Sequence, residues 1–243
     1  MKDQPAYKRV LIELSGEMMG SQSSPIDVEN LTIVARQLAE IRESGTQIAI
    51  VIGAGNIWRG AGKQNIMIRR KADMIGMLAT IVNAMALQGI LENMNIPSCV
   101  LSAIEFEPVM EIDRLSQYVG KDAVEHLRKG EIVIFGGGTG NPYFTTDTAS
   151  ALRALQIEAD LLIKATKVDG VYTADPEKCP TAKKISNLTS EKALQMGLKV
   201  MDAAAFSLCK DNKLPIVVCA LNPEGNIKRV IFGEEIGTLL TPS

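Results

Sequence analysis

Three short apolar runs in this chain each end in a polar loop containing glycine, and this repetition constrains the fold more than any other feature. Residues 10–14 lead into Ser15 and Gly16, and residues 48–52 lead into Gly53, Ala54, Gly55 and Asn56. Residues 132–135 lead into GGGTGNPYFTTD, residues 136–147. Short continuous apolar runs bounded by turns suit parallel strands covered on both faces. In sheets of that kind, ligands collect beyond the carboxyl ends of the strands. Three such loops therefore predict one sheet with a shared binding edge.

The segments between the loops supply the helices. Pro25 and Asp27 announce a helix whose apolar positions Val28, Leu31, Val34, Leu38 and Ile41 recur at helical spacing until Gly45. Residues 122–128, 148–156 and 203–210 are helical in pattern, whereas 99–101, 159–164 and 215–219 read as strands. Residues 168–172 form a turn entering an extended piece, and 230–232 and 238–240 are expected to finish the sheet. Strands alternating with helices give a three-layer αβα sandwich around a mainly parallel central sheet. No Pro/Gly/Ser-rich linker or internal repeat divides residues 1–243, which predicts a single domain.

Residues 74–91 carry no formal charge, a length at the lower edge of a membrane span. Gly76, Thr80, Asn83, Gln88 and Gly89 interrupt the run, so it is read as a helix buried on nearly all faces, in the core or at a subunit contact. The first residues show no signal-peptide core, and a cytoplasmic protein without membrane attachment is expected. With a net charge of −2 and no basic run, a general grip on nucleic acid is not expected. Cys99, Cys179, Cys209 and Cys219 lack CxxC spacing, and His126 is the sole histidine. Neither a zinc site nor a disulfide framework is predicted.

The loop at residues 136–147 is suited to an anion. Glycine lets backbone N–H groups approach a phosphate, the following helix adds a partial positive charge, and Thr139, Thr145 and Thr146 add short donors. Asp147 places a carboxylate beside them, either to organise a reacting group or simply to cap the helix. The spacing GxxxxGK[ST] is absent, as is GxGxxG after the first strand, which leaves a phosphoryl-transfer site of another type.

The motifs LSGE at 14–17, GAGNIWRG at 53–60, DMIGMLAT at 73–80, GTGNPYFTTD at 138–147, KATKVDGVYTADP at 164–176 and KVMDAAA at 199–205 resemble the bacterial uridylate (UMP) kinases of the amino-acid kinase superfamily. The likeness spans almost the whole chain with the motifs in order. It implies the amino-acid kinase fold and conversion of UMP and ATP to UDP and ADP with Mg2+ and no organic cofactor. It also implies a cytoplasmic homo-oligomer, a hexamer.

The same resemblance implies residue roles. Glu13, Arg59, Asp147 and Asp202 fall at catalytic positions. Ala54, Asp73, Thr139, Gly140, Asn141, Pro142, Tyr143, Phe144, Thr145 and Thr146 fall at UMP-binding positions. Glu13, Leu14, Ser15, Gly16, Gly55, Arg59, Thr166, Tyr172 and Asp175 fall at ATP-binding positions. No metal ligand is assigned. From the residues alone, Asp73 also reads as a helix-opening cap, Asp202 as an N-cap and Tyr172 as an ordinary strand aromatic.

Three departures stand out. The family pattern has lysine two residues before the Ser-Gly pair, where this chain has Glu13. A glutamate reverses the charge offered to the transferring phosphoryl group, where electrostatics supply most of the catalysis. The expectation is an impaired kinase, with a nucleotide-binding sensor or storage protein on the same fold as the alternative. Ala54 replaces a loop glycine, and residues 87–93 lack the Arg and His some relatives use around a GTP effector, which argues against activation by GTP.

Overall fold

The computed structural model describes residues 4–59, 67–105, 113–114, 119–174, 176, 178–179, 181–198 and 200–242. The expected ATP-side residue Asp175, and Gly60 and Lys199 of the quoted motifs, lie outside these described residues.

The strands in chain order are β1 (Arg9–Leu14), β2 (Gln47–Ile52), β3 (Ser98–Ser102), β4 (Asp113–Arg114), β5 (Ile132–Gly136), β6 (Leu161–Thr166), β7 (Val171–Tyr172), β8 (Lys184–Ile185), β9 (Asn187–Thr189), β10 (Ile216–Ala220) and β11 (Thr238–Thr241). The helices are α1 (Val28–Glu43), α2 (Arg69–Asn93), α3 (Val119–Arg128), α4 (Thr146–Gln156), α5 (Ser190–Gln195), α6 (Ala203–Asp211) and α7 (Asn226–Ile231). The main sheet runs β4-β3-β5-β2-β1-β6-β10-β11-β9 and is parallel except where β11 pairs antiparallel with β10. β7 and β8 form a separate antiparallel pair. The predicted αβα sandwich with a mainly parallel sheet is the observed architecture.

Strand alternation sorts the core into two faces. Val10, Ile12 and Leu14 point to one side with Ile48, Ile50 and Ile52, against α1, α2 and α7. Leu11, Val51, Val133 and Leu162 point to the other, against Ala149 and Ala154 of α4, Phe206 of α6 and Leu127 of α3. Because β5, β2 and β1 are neighbours, the three glycine loops open side by side.

One expectation fails. Residues 230–232 do not finish the sheet: Val230 and Ile231 belong to α7, where Ile227, Val230 and Ile231 bury a helical stripe behind the left-handed Gly225 cap. A three-residue apolar run cannot distinguish the two periods. α2 is covered by this chain on one side only, which leaves the other side for the expected subunit contact. Met74, Leu78, Val82 and Met85, spaced along one face, are 37–47% exposed, so the uncharged run has an uncovered apolar side.

Candidate active site

The polar residues that interrupt α2 are the ones that hold the glycine loops. Asn83 is fully buried; its Nδ2 donates to Gly53 O at 2.8 Å and to Asn56 Oδ1 at 2.9 Å, while Asn56 Nδ2 donates back to Asn83 Oδ1 at 2.9 Å. One turn earlier, Thr80 Oγ1 accepts from Gly137 N at 2.9 Å. The first loop presses on the second so closely that a Cβ on Gly16 would lie 2.4 Å from Gly53 O, leaving room only for glycine. Arg153, buried in α4, supports the third loop from beneath by donating from Nη2 to Gly138 O at 3.1 Å.

A cleft of about 570 Å³ opens between α2 and the third loop. Its walls include Ala54, Gly55, Arg59, Asp73, Thr139, Asn141, Tyr143, Phe144, Thr145 and Thr146. The structure thus brings eight of the expected acceptor-side residues to one cavity, while Gly140 and Pro142 of the same loop do not line it. Asp73 does not open its helix, which starts at Arg69, so the capping reading fails. Its Oδ2 instead accepts from Tyr143 N at 2.9 Å. Tyr143 has a φ of 75°, a left-handed conformation that is rare for a bulky residue, and the Asp73 contact holds it there. Arg69 lies 5.1 Å from the centre of the exposed Tyr143 ring.

A second cavity of about 540 Å³ lies beyond β6, lined by Lys164, Thr166, Tyr172, Pro176, Leu198 and Val200. Thr166 Oγ1 donates to Val168 O at 2.6 Å, and the Tyr172 hydroxyl donates to Asp169 Oδ1 at 2.6 Å. Arg59 stands at the mouth of the first cleft with its guanidinium on Glu17, which also accepts from Lys167 at 2.8 Å. Those contacts, led by the Lys167 hydrogen bond, hold the Glu17 carboxyl below its usual range. Bound phosphate would compete with Glu17 for both cations.

Between the cavities sits a compact ionic centre. Glu13 and Lys164 are paired in register on adjacent parallel strands, so their side chains leave the same sheet face. Lys164 Nζ donates to Glu13 Oε1 at 3.3 Å and also contacts Asp147 Oδ1. Asp147 is the second residue of α4, and its Oδ2 accepts from Asp202 N at 3.2 Å. Thr145, rather than Asp147, caps α4, so the capping alternative for Asp147 fails. Asp202 does cap α6, accepting from Ala205 N at 2.8 Å, and also accepts from the hydroxyls of Thr145 and Thr148. Burial pushes the Asp202 carboxyl up, but these hydrogen bonds outweigh it and hold it below the usual range. Glu13, Asp147 and Asp202 are thus one connected group, joined by Lys164, which is not a predicted catalytic residue, and by the Asp202 N–H donating to Asp147.

Lys164 is the functional residue that sequence reasoning missed. Its signal was a single charge inside the buried strand LLIKAT, which has no reason to be there unless it meets a partner. Far from this centre, at the opposite end of β3 and β5, Cys99, His126 and Glu131 place ligand atoms within 4.8 Å of one another. His126 Nδ1 there already shares a 2.8 Å hydrogen bond with Glu131.

Burial pushes the Glu13 carboxyl up to about 8; Lys164 pulls it down and Asp147 pushes it further up. Lys164 is raised, since its two carboxylates outweigh the effect of burial. Between the ordinary value of 4.5 and about 8, the folded chain holds a proton at Glu13 that the unfolded chain has released. Stability from this group is therefore fully present below pH 4.5 and is lost as pH rises through about 8. Melting curves in chelator should show the midpoint falling from pH 6 to 9 and a flatter dependence in Glu13→Gln. Parallel curves would remove Glu13 as the cause.

Residues 8–220 match the model of the Amino acid kinase family. The chain is 51% identical over 236 residues to the uridylate kinase of Bacteroides thetaiotaomicron, covering 96% of this chain and 98% of that protein. Among solved structures, it is similar to UMP kinase from Bacillus anthracis, with a TM-score of 0.91, 37% identity and coverage of 98% and 97% of the two chains. It is also similar to UMP kinase from Ureaplasma parvum, with a TM-score of 0.88, 34% identity and coverage of 99% and 100%.

Proposed function

This chain belongs to the amino acid kinase family and, within it, to the uridylate kinases, and from that premise we propose that it transfers the γ-phosphoryl group of ATP to UMP across the Glu13–Lys164–Asp147 centre. The observation that carries the reading is the placement of two cavities on either side of that centre. The cleft walled by Asp73, Thr139, Asn141 and Tyr143–Thr146 takes UMP, and the cavity behind Thr166 and Tyr172 takes the adenosine of ATP. Ser15, Gly16 and Gly55 turn backbone N–H groups toward the phosphates between them, and Arg59 exchanges Glu17 for phosphate through its planar fork.

Holding donor and acceptor in line supplies most of the acceleration in such reactions, with the remainder from charge aimed at the transferring group. Asp202 fixes Thr145 and the start of α4, so Asp147 faces the transfer point from a rigid helix. Magnesium bound with ATP neutralises phosphate charge. The carboxylates of Glu13 and Asp147 fit a hard cation, and Glu13 Oε2 is a buried acceptor with no partner among the described residues. Glu13 puts a buried carboxyl group, without positive charge, where a cation would aid transfer, so turnover is reduced while nucleotide binding is retained.

An ADP-release assay with UMP, CMP, AMP and carbamate tests the acceptor. UMP is expected to be preferred, and preference for another acceptor contradicts the reading. Nucleotide binding without ADP release, even at high protein concentration, would favour a sensor or storage protein instead.

Asp73→Ala removes the acceptor for Tyr143 N. Losing a hydrogen bond to a charged group costs about 2 kcal/mol, so the KM for UMP should rise about 30-fold with that for ATP little changed. An equal rise for both nucleotides would displace Asp73 from the UMP side.

The protein works in the cytoplasm on soluble nucleotides and assembles through the uncovered stripe Met74, Leu78, Val82 and Met85. Sedimentation at micromolar concentration should give an oligomer, which Leu78→Glu with Val82→Glu breaks into smaller species. A monomeric mass for the unaltered chain would contradict this.

A further inference from the structure

We propose that Glu13 and Asp147 form a binding site for a divalent, oxygen-preferring cation that replaces the charge of the missing lysine, an inference that rests on reading this point as the phosphoryl-transfer centre. Glu13 is only 6% exposed, and its Oε2 has no hydrogen-bond partner among the described residues. A buried carboxylate oxygen left unpaired is costly, and it persists where something else is meant to satisfy it. A cation already stands where the two carboxylates converge, because Lys164 Nζ lies 3.3 Å from Glu13 Oε1 and also contacts Asp147 Oδ1.

The two carboxylates come from rigid elements: Glu13 from the central strand β1, in register with Lys164, and Asp147 from the first turn of α4. Mg2+ is commonly held by one or two carboxylates together with waters and substrate phosphates, so this pair suffices. The charges balance as well. Once the cation displaces the proton from Glu13, a carboxylate carrying −1 with a cation carrying +2 presents a net +1, the charge of a lysine ammonium. When the cation enters, Lys164 leaves Asp147 Oδ1 and turns to the second cavity, which it already lines.

Titration of the full-length chain with Mn2+ in the absence of nucleotide, read by loss of the free-ion paramagnetic resonance signal, tests the site directly. The unaltered chain should bind one Mn2+, displaceable by Mg2+. Glu13→Gln, which keeps the shape of the side chain, should weaken binding by about 10- to 100-fold or more, as loss of a metal-supporting group does. Lys164→Met, which removes the resident ammonium, should tighten it, and melting curves confirm that each variant is folded. No Mn2+ bound by the unaltered chain, or unchanged affinity in either variant, overturns the proposal. No nucleotide is present, so the result does not depend on whether UMP is the acceptor, and failure here leaves the ADP-release assay unaffected.

Discussion

Glu13→Lys should accelerate UMP phosphorylation by about 100- to 1000-fold when magnesium is supplied only in step with ATP, the range associated with about 3–4 kcal/mol of transition-state charge stabilisation. The side chain leaves β1 toward Asp147 and Lys164, between the two cavities rather than within the UMP cleft. The change should therefore appear in kcat, with the KM for UMP nearly constant, as for an interaction made only in the transition state. A lysine there faces the transferring group, while Lys164 keeps Asp147 as its partner. If Glu13 holds a cation, the advantage of lysine narrows as free Mg2+ rises. An advantage independent of Mg2+ would separate impairment by Glu13 from its rescue by a cation, and no gain at any Mg2+ concentration would show that Glu13 does not face the transferring group.

Asn83→Leu should destabilise the fold by about 2–4 kcal/mol, although it makes α2 more apolar and buries more hydrocarbon. The substitution leaves the buried Gly53 O and the half-buried Asn56 Oδ1 without their donor, while Asn56 Nδ2 keeps Pro25 O, and each unsatisfied buried group costs about 1–3 kcal/mol. The Gly53–Asn56 loop then loses its anchor, so nucleotide affinity should fall together with the denaturation midpoint. A stability equal to or above that of the unaltered chain would mean that α2 is simply a hydrophobic core helix.

That residue also marks how far the sequence could be read. The apolar runs before Gly16, Gly53 and Gly136 pointed to three parallel strands of one sheet, because each is followed by a glycine loop as a covered strand is, while their adjacency came only from the structure. The loop motifs put Arg59, Thr139, Asn141 and Tyr143–Thr146 around one cleft, because parallel strands gather their carboxyl ends on one edge, while Asp73 reaches it from α2. Asn83 and Thr80 were visible only as interruptions of an apolar run; that they support loops depends on where α2 crosses the sheet, which no local pattern encodes. Lys164 was hidden for a related reason, since its partners come from residues 13 and 147 and only strand register brings them together. Residues 230–232 misled because a short apolar run suits either period. The uncharged run on α2 pointed to a helix in the core or at a subunit contact, but composition alone could not say which of its residues this chain covers.

The most direct test is to identify the products formed by the unaltered chain from ATP and UMP, separating nucleotides by chromatography over a long incubation at high protein concentration. A uridylate kinase with Glu13 in place of lysine at the transfer centre should produce UDP and ADP slowly and in equal amounts. ADP without UDP, or phosphorylation of CMP or AMP in preference to UMP, would contradict it.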